Sequence, residues 1–353
     1  MLDCILMALC LYFDNNMEIH KNYDLTKLNT FGINVRAKFF TEIKSELELQ
    51  ELFKLPEFQN NEKLFLGGGS NVLFTKNFDG IVILNKLKGI EILKEDSQNM
   101  VIRSTSGEIW HDLVFFAVER NLWGLENLSF IPGTVGGALV ENLGAYGAEL
   151  CEVLENVEAL DVKNGTKKTF RKEECGFSYH DSIFKKEWRG KYFILAVTLK
   201  LSKIEKKNIK YRAFTEYSEI SKLPLNSSKD ISNAVTFIRK LKLPDPAVIG
   251  NAGSFFKNVF LEKEKLEELL KIYPNMPHYK EDEVMKVPAG WLVEQTGWKG
   301  KRIGNTGVHE KHALVLVNHG EATGEEIKNL AKEITDSVFS KFGLKLTPEV
   351  NLI

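Results

Sequence analysis

The chain has no CxxC pair, no basic block, no acidic tail, no internal repeat and no low-complexity tract. Each absence removes a class of protein. Cys4, Cys10, Cys151 and Cys175 are scattered through 353 residues, as expected of free thiols in a reducing cytosol and not of a disulfide scaffold. Lys and Arg number 47 against 48 Asp and Glu, for a net charge of −1. With the two signs interspersed, there is no electrostatic footprint for nucleic acid. The apolar run 5–13 is about nine residues long, against roughly 20 for a membrane span. It also lacks the basic start and small-residue cleavage site of a signal peptide. Residues 1–16 are expected to be a disordered extension or an upstream misreading of the start, and Met17 onward reads as an ordinary beginning. A chain of this length exceeds what one core usually serves, so two or three domains are expected.

What is abundant, locally, is glycine. Phe130-Ile131-Pro132-Gly133-Thr134-Val135-Gly136-Gly137-Ala138 runs on into Glu141-Asn142-Leu143-Gly144-Ala145-Tyr146-Gly147. So many small residues favour close approach of backbone to a ligand over a plain loop. A second turn, Leu66-Gly67-Gly68-Gly69-Ser70-Asn71-Val72-Leu73, follows an apolar run. It has neither the GxGxxG spacing nor the Lys-Ser/Thr of a Walker loop, which counts against a P-loop hydrolase and an ordinary dinucleotide fold. Alone it reads equally well as a tight turn. Together the two loops suggest one large anionic cofactor held from two sides.

Periodicity predicts strands at 63–66, 80–84, 100–103, 153–162 and 192–201, with Asn164-Gly165 turning a hairpin. Helices are expected from a capping box at Ser45 to about Lys54, and over 109–120, 231–241 and 261–273. A second capping box at Thr323 opens a helix ended by Gly343. A buried strand is expected at 313–317, and the polar segment 223–230 reads as a domain junction. Strands and helices come in blocks, so the fold class is α+β.

Other candidates are weak in isolation. Ser254, between Gly253 and two phenylalanines, reads first as a packed turn serine, since no GxSxG elbow surrounds it. Lys242, before Pro244-Asp245-Pro246, is a solvated lysine or a phosphate contact. His309, His312 and His319 lack the spacing of a zinc site, and no metal is expected. Glu349 alone reads as a solvent carboxylate.

In order along the chain, Asn29-Thr30-Phe31-Gly32, 66–73, 131–147, 179–185, 242–246, 250–258, 289–295, 307–318 and 348–350 resemble the UDP-N-acetylenolpyruvoylglucosamine reductase family, from Met17 to the end. The resemblance implies an FAD-binding half of the vanillyl-alcohol-oxidase type in two lobes, 17–80 and 81–225. An α+β substrate-binding domain, 226–353, comes after them. It implies FAD held by Gly67, Gly68, Gly69, Ser70, Asn71, Ile131, Pro132, Gly133, Thr134, Gly136, Gly137, Ala138, Asn142, Gly144, Ala145, Tyr146 and Gly147. NADPH would reduce the flavin, and hydride would pass from flavin N5 to the enolpyruvyl group of a UDP-sugar. Ser254 would then protonate the adjacent carbon, giving UDP-N-acetylmuramate for peptidoglycan. Glu349, protonated through burial, would help the enolate. Tyr211, Arg239, Lys242, Asn258, Lys299 and His312 would contact the substrate. A cytoplasmic monomer is expected, with no nucleic-acid or stable membrane partner.

Three departures bear on the site. Tyr179-His180-Asp181-Ser182 carries histidine where the resemblance implies arginine. Glu141 and His312 each replace a glutamine. A substrate carboxylate is expected to raise the His180 pKa enough to keep it cationic, so that the rate falls above roughly pH 7.5.

Overall fold

The computed structural model describes residues 17–281 and 283–353. The expectation for 1–16, with Cys4 and Cys10, lies outside the described residues. The first sheet has the order His20–Asp24, Arg36–Ile43, Phe78–Asn85, Glu62–Leu66. Its first pair is antiparallel and the other two are parallel. Phe78–Asn85 reads as a near-continuous apolar run because both of its faces are covered. Ile81 and Ile83 pack with Leu49 and Leu52 of helix Glu46–Leu52. Val82 and Leu84 point the opposite way, into a separate cluster.

The second sheet is antiparallel throughout, in the order Lys167–Arg171, Leu154–Asp161, Tyr192–Ser202, Asn99–Thr105, Ile90–Glu95. Helix Trp110–Val118 lays Leu113, Val114, Ala117 and Val118 on it. The Trp110 indole N–H donates to the Leu128 carbonyl at 2.8 Å. Each such apolar side chain contributes roughly 1.5–3 kcal/mol on full burial.

Helix Ser228–Lys242 starts inside the segment read as a junction, with Ser227 and Asp230 forming its capping box. It buries Ile231, Ala234, Val235 and Ile238 against Trp123, Phe214 and Tyr217. Phe214 and Tyr217 belong to helix Arg212–Ser221, which sequence periodicity did not reveal. The segment expected to be one helix over 261–273 is instead a short strand, Val259–Leu261, followed by helix Lys263–Ile272.

Further on, helix Gly324–Phe342 begins at the Thr323 capping box and ends at Gly343 with φ 67°. Its face Ile327, Leu330, Ala331, Ile334, Val338 and Phe342 joins Phe31, Leu66, Leu73 and Phe74 in one core. The N-terminal sheet segment and the C-terminal segment therefore share a hydrophobic interior. The final strand Asn351–Leu352 pairs parallel with Val72–Leu73, which brings the end of the chain beside the first glycine turn.

Candidate active site

The two glycine loops lean directly on one another. A Cβ on Gly68 would lie 2.8 Å from the Gly133 Cα, and Gly133 itself has φ 123°. Only glycine tolerates both the contact and the dihedral. Ser70 Oγ donates to the Pro132 carbonyl at 3.0 Å, and the Thr30 N–H donates to the Gly69 carbonyl at 3.0 Å. Thr134 Oγ1 accepts from the Gly137 N–H at 3.4 Å and starts helix Val135–Val140. The loops, expected on opposite sides of a ligand, instead form one continuous wall.

That wall lines a cleft of about 1430 Å³. Ordinary small-molecule pockets measure about 300–1,000 Å³, so there is room for a large cofactor and a substrate together. Gly67, Gly68, Gly69, Ser70, Asn71, Ile131, Pro132, Gly133, Thr134, Gly136, Gly137, Ala138 and Gly144 line it. Asn142, Ala145, Tyr146 and Gly147 are not part of the lining. Asn142 is fully buried, and its amide is used up within the protein. Its Nδ2 donates to Glu149 Oε2 and the Ser178 carbonyl, and its Oδ1 accepts from the Cys151 N–H. It holds the loop from behind. The Tyr146 carbonyl accepts from Asn127 Nδ2 at 2.9 Å, and the ring meets Tyr211 edge-on at 5.7 Å.

Ser254, Glu349 and His180 all line the same cleft. Ser254 is preceded by Gly253 at φ 70° and bridges to Val315, which fixes its backbone. Glu349 is anchored by its N–H to the Phe255 carbonyl at 2.8 Å, and the next strand is held by the Asn351 N–H to the Asn71 carbonyl at 3.0 Å. It thus stands between the Ser254 block and the first glycine turn.

Glu349 Oε1 lies 3.4 Å from His180 Nδ1, the two side chains being 21% and 15% exposed. The spacing suits an ion pair, but the environment opposes one. Burial, with the nearby charges of Lys257, Lys185 and Lys286, pushes His180 down to about 4. Burial and then the Glu141 carboxylate push Glu349 up to about 7, against Lys185 and Lys257. Both effects favour neutral forms near neutrality. Within the protein's own field, desolvation and three lysines oppose a cationic His180, and the carboxylate beside it does not offset them.

The positive charge sits instead on two lysines to which the sequence alone assigned no role. Lys257 Nζ donates to the His180 carbonyl at 2.8 Å. Lys185 Nζ lies 2.5 Å from Glu141 Oε2 and donates to the Glu349 carbonyl at 3.3 Å. Both belong to matched blocks, one beside Ser254 and one closing 179–185, and that proximity was the signal available.

The expected substrate contacts divide. Arg239 and Asn258 line the cleft; Tyr211, Lys242, Lys299 and His312 do not. Arg239 Nε donates to the Phe130 carbonyl at 2.9 Å. Asn258 donates to the Tyr179 hydroxyl at 2.9 Å and accepts from the Ala289 N–H at 3.1 Å. Burial lowers His312 to about 4, assisted by His309, Arg239, Lys242 and Lys299. Lys242 meets Glu216 at 3.4 Å and Lys299 meets Glu294 at 2.9 Å. Among the described residues, no group of three or more His, Cys, Asp or Glu could hold a metal.

Residues 37–171 match the family model described as an FAD binding domain, and residues 245–353 match the UDP-N-acetylenolpyruvoylglucosamine reductase C-terminal domain. The Flavobacterium johnsoniae UDP-N-acetylenolpyruvoylglucosamine reductase is 46% identical over 339 residues, covering 96% of this chain and all of that one. The same-named proteins of Amoebophilus asiaticus and Pseudomonas aeruginosa are 47% and 40% identical, each over 338 residues and 96% of this chain; all of the first and 99% of the second are covered. The crystal structure of the Thermus caldophilus enzyme superposes with a TM-score of 0.64 at 23% identity, over 96% of this chain and 98% of that one, which shows a shared fold. This chain belongs to the UDP-N-acetylenolpyruvoylglucosamine reductase family.

Proposed function

We propose that this chain performs its family's FAD-dependent, NADPH-consuming reduction of UDP-N-acetylglucosamine enolpyruvate to UDP-N-acetylmuramate, with Ser254 and Glu349 as the acid groups. The observation that carries this is the convergence of Ser254, Glu349 and His180 on one cleft walled by both glycine loops. The residues present fit the cofactor: the cleft volume exceeds that of a single ordinary ligand, and glycine backbone forms its wall.

Bound FAD would supply hydride received from NADPH. The protein's own groups handle the two remaining demands, negative charge on the substrate carboxylate and a proton for the neighbouring carbon. Ser254 donates that proton from a backbone position fixed by its bridge to Val315. Glu349, raised to about 7 by burial, is protonated in a substantial share of molecules near neutrality and then offers a neutral hydrogen-bond donor where charge develops. Below about pH 7 His180 and Glu349 together hold one carboxyl proton and one imidazole proton. Stabilisation of the enolate then rests on hydrogen-bond donation and not on a cation at position 180.

Arg239, which lines the cleft, is assigned to the UDP diphosphate, with Lys242 and Lys299 as cations outside its lining. Tyr211, at the start of helix Arg212–Ser221 and outside the cleft lining, is assigned to cover the substrate. The division into 17–80, 81–225 and 226–353 is kept as a functional proposal only, since the first boundary falls inside strand Phe78–Asn85 and helix Ser228–Lys242 packs on Trp123, Phe214 and Tyr217. A cytoplasmic monomer is proposed, with the free thiols Cys151 and Cys175 in keeping with a reducing compartment. No helix among the described residues is long and apolar enough to cross a membrane.

Purified protein should be yellow and oxidise NADPH only when the enolpyruvyl substrate is present. Ser254→Ala should keep the flavin and lose about 10²–10⁴-fold in turnover. Undiminished turnover in that variant would remove Ser254 as the proton donor.

A further inference from the structure

The carboxylate of Glu141 has no part in that chemistry, yet it lies at the centre of the charged cluster behind Glu349. Glu141 is the C-cap of helix Val135–Val140, inside the glycine wall. One oxygen takes Lys185 Nζ at 2.5 Å and the other accepts from Asn351 Nδ2 at 2.8 Å. Its side chain is only 13% exposed, and that of Lys185 only 17%. Lys185 is thereby directed to the backbone carbonyl of Glu349 and not to its carboxyl group.

We infer that Glu141 is a positioning residue for the reduction: by occupying Lys185 it keeps the Glu349 side chain in its protonated, hydrogen-bond-donating form. This rests on the reading of Glu349 as an acid group.

Several elements bring titratable or charged groups to face Glu349. From the segment after strand Lys167–Arg171 come Tyr179, His180, Asp181 and Lys185. His180 is held neutral near pH 7 by burial and the surrounding lysines, and Asp181 is 2.6 Å from Lys186. From the Ser254 block comes Lys257, whose own pKa is lowered chiefly by burial and then by Lys185. From the glycine wall comes Glu141, the nearby carboxylate that acts to raise Glu349. Without the Glu141 charge, Lys185 would lose its ion-pair partner, and only Asp181, acting on Lys257, would remain to offset the two lysines that face Glu349. An uncompensated cation at this range typically lowers a carboxyl pKa by about 1–3 units.

The test is the pH dependence of kcat/KM for the FAD-loaded enzyme, which reports groups of the enzyme before substrate binds. Glu141→Gln preserves the shape and the acceptor for Asn351. It should move the alkaline limb down by about one unit or more, with the low-pH plateau kept. Lys185→Met should move the same limb upward, and the double variant should return it towards wild type. An E141Q limb that coincides with wild type overturns the inference. So does a uniform loss at every pH, which would mark Glu141 as structural only. Glu349→Gln separates this from failure of the underlying reading. If that variant keeps the wild-type alkaline limb, Glu349 is not the group observed, and the acid role falls first.

Discussion

At the scale of single residues, the proposed chemistry turns on the pair His180 and Glu349, whose protonation is set by burial more than by the 3.4 Å separation. Desolvation penalises whichever form is charged, so an acid rises and a base falls. Glu349, pushed up to about 7, is mostly protonated below that pH and becomes a carboxylate above it. A reaction that needs its proton should therefore run at a plateau below about pH 7 and fall about tenfold per unit well above it. From the sequence, a similar fall is expected above roughly pH 7.5, but with His180 as the group that loses a proton. The structure holds His180 at about 4, already neutral across that range. The two assignments separate in one experiment. Glu349→Gln should flatten the alkaline limb of kcat/KM at reduced overall rate, and His180→Asn should retain the limb. If His180→Asn removes the limb and Glu349→Gln leaves it, the imidazolium is the group that matters.

At the scale of elements, the glycine wall and the terminal strand do the positioning. Gly68→Ala would press a methyl group to 2.8 Å from the Gly133 Cα, a backbone atom that cannot swing aside. The two loops would have to separate, at a cost of about 1–3 kcal/mol. Lower bound flavin, read from visible absorbance after purification, and a lower Tm should result; a variant with full flavin content and unchanged Tm would show that the loops do not need this contact. Removing residues 351–353 should act differently. The strand Asn351–Leu352 and the Ile353 carbonyl, which accepts from Thr75, fix Glu349 from its C-terminal side. Turnover should drop far more than Tm, and equal losses in both would argue that the strand serves stability alone. The same elements show what sequence could reveal. The helices opened by Ser45 and Thr323 were legible because a capping box is a local signal. Strands of two to four residues such as Arg302–Ile303 and Val284–Val287 are too short for any periodicity. Helix Arg212–Ser221 buries only Ala213, Phe214 and Tyr217 against a distant Trp123, so its partner had to be known first. The glycine loops and the Ser254 block stood out as motifs. Glu141 with Lys185, and His180 with Glu349, did not stand out as pairs, because each is joined only by tertiary folding.

At the scale of the whole molecule, the N-terminal and C-terminal parts of the described residues are one structural body. Phe31, Leu66, Leu73 and Phe74 from the N-terminal part lie in the same apolar cluster as Phe255, Leu292, Ile327 and Val338 from the C-terminal part. Asn318 Nδ2 donates to the Phe31 carbonyl at 2.9 Å, and Asn251 N–H to the Thr30 carbonyl at 3.0 Å, both across that junction. The antiparallel sheet, by contrast, builds a second core from residues such as Ile102, Leu113, Val157 and Leu199. The C-terminal segment cut out alone would expose the surfaces that now cover Phe31 and Leu73, and would lose the partner strand of its last residues. Burial of large side chains supplies most of the stability of a domain, and net stability is only about 5–15 kcal/mol. Fragment 245–353, although it coincides with a family model, should therefore not fold independently. Amide proton dispersion of the isolated fragment would test this, with narrow, coil-like signals expected. Well-dispersed signals and a cooperative thermal transition would mean that the shared core is a docking face between two self-sufficient units. In that case the cleft could open along it, and the positions of Ser254 and Glu349 relative to the glycine wall would be set by docking and not by folding.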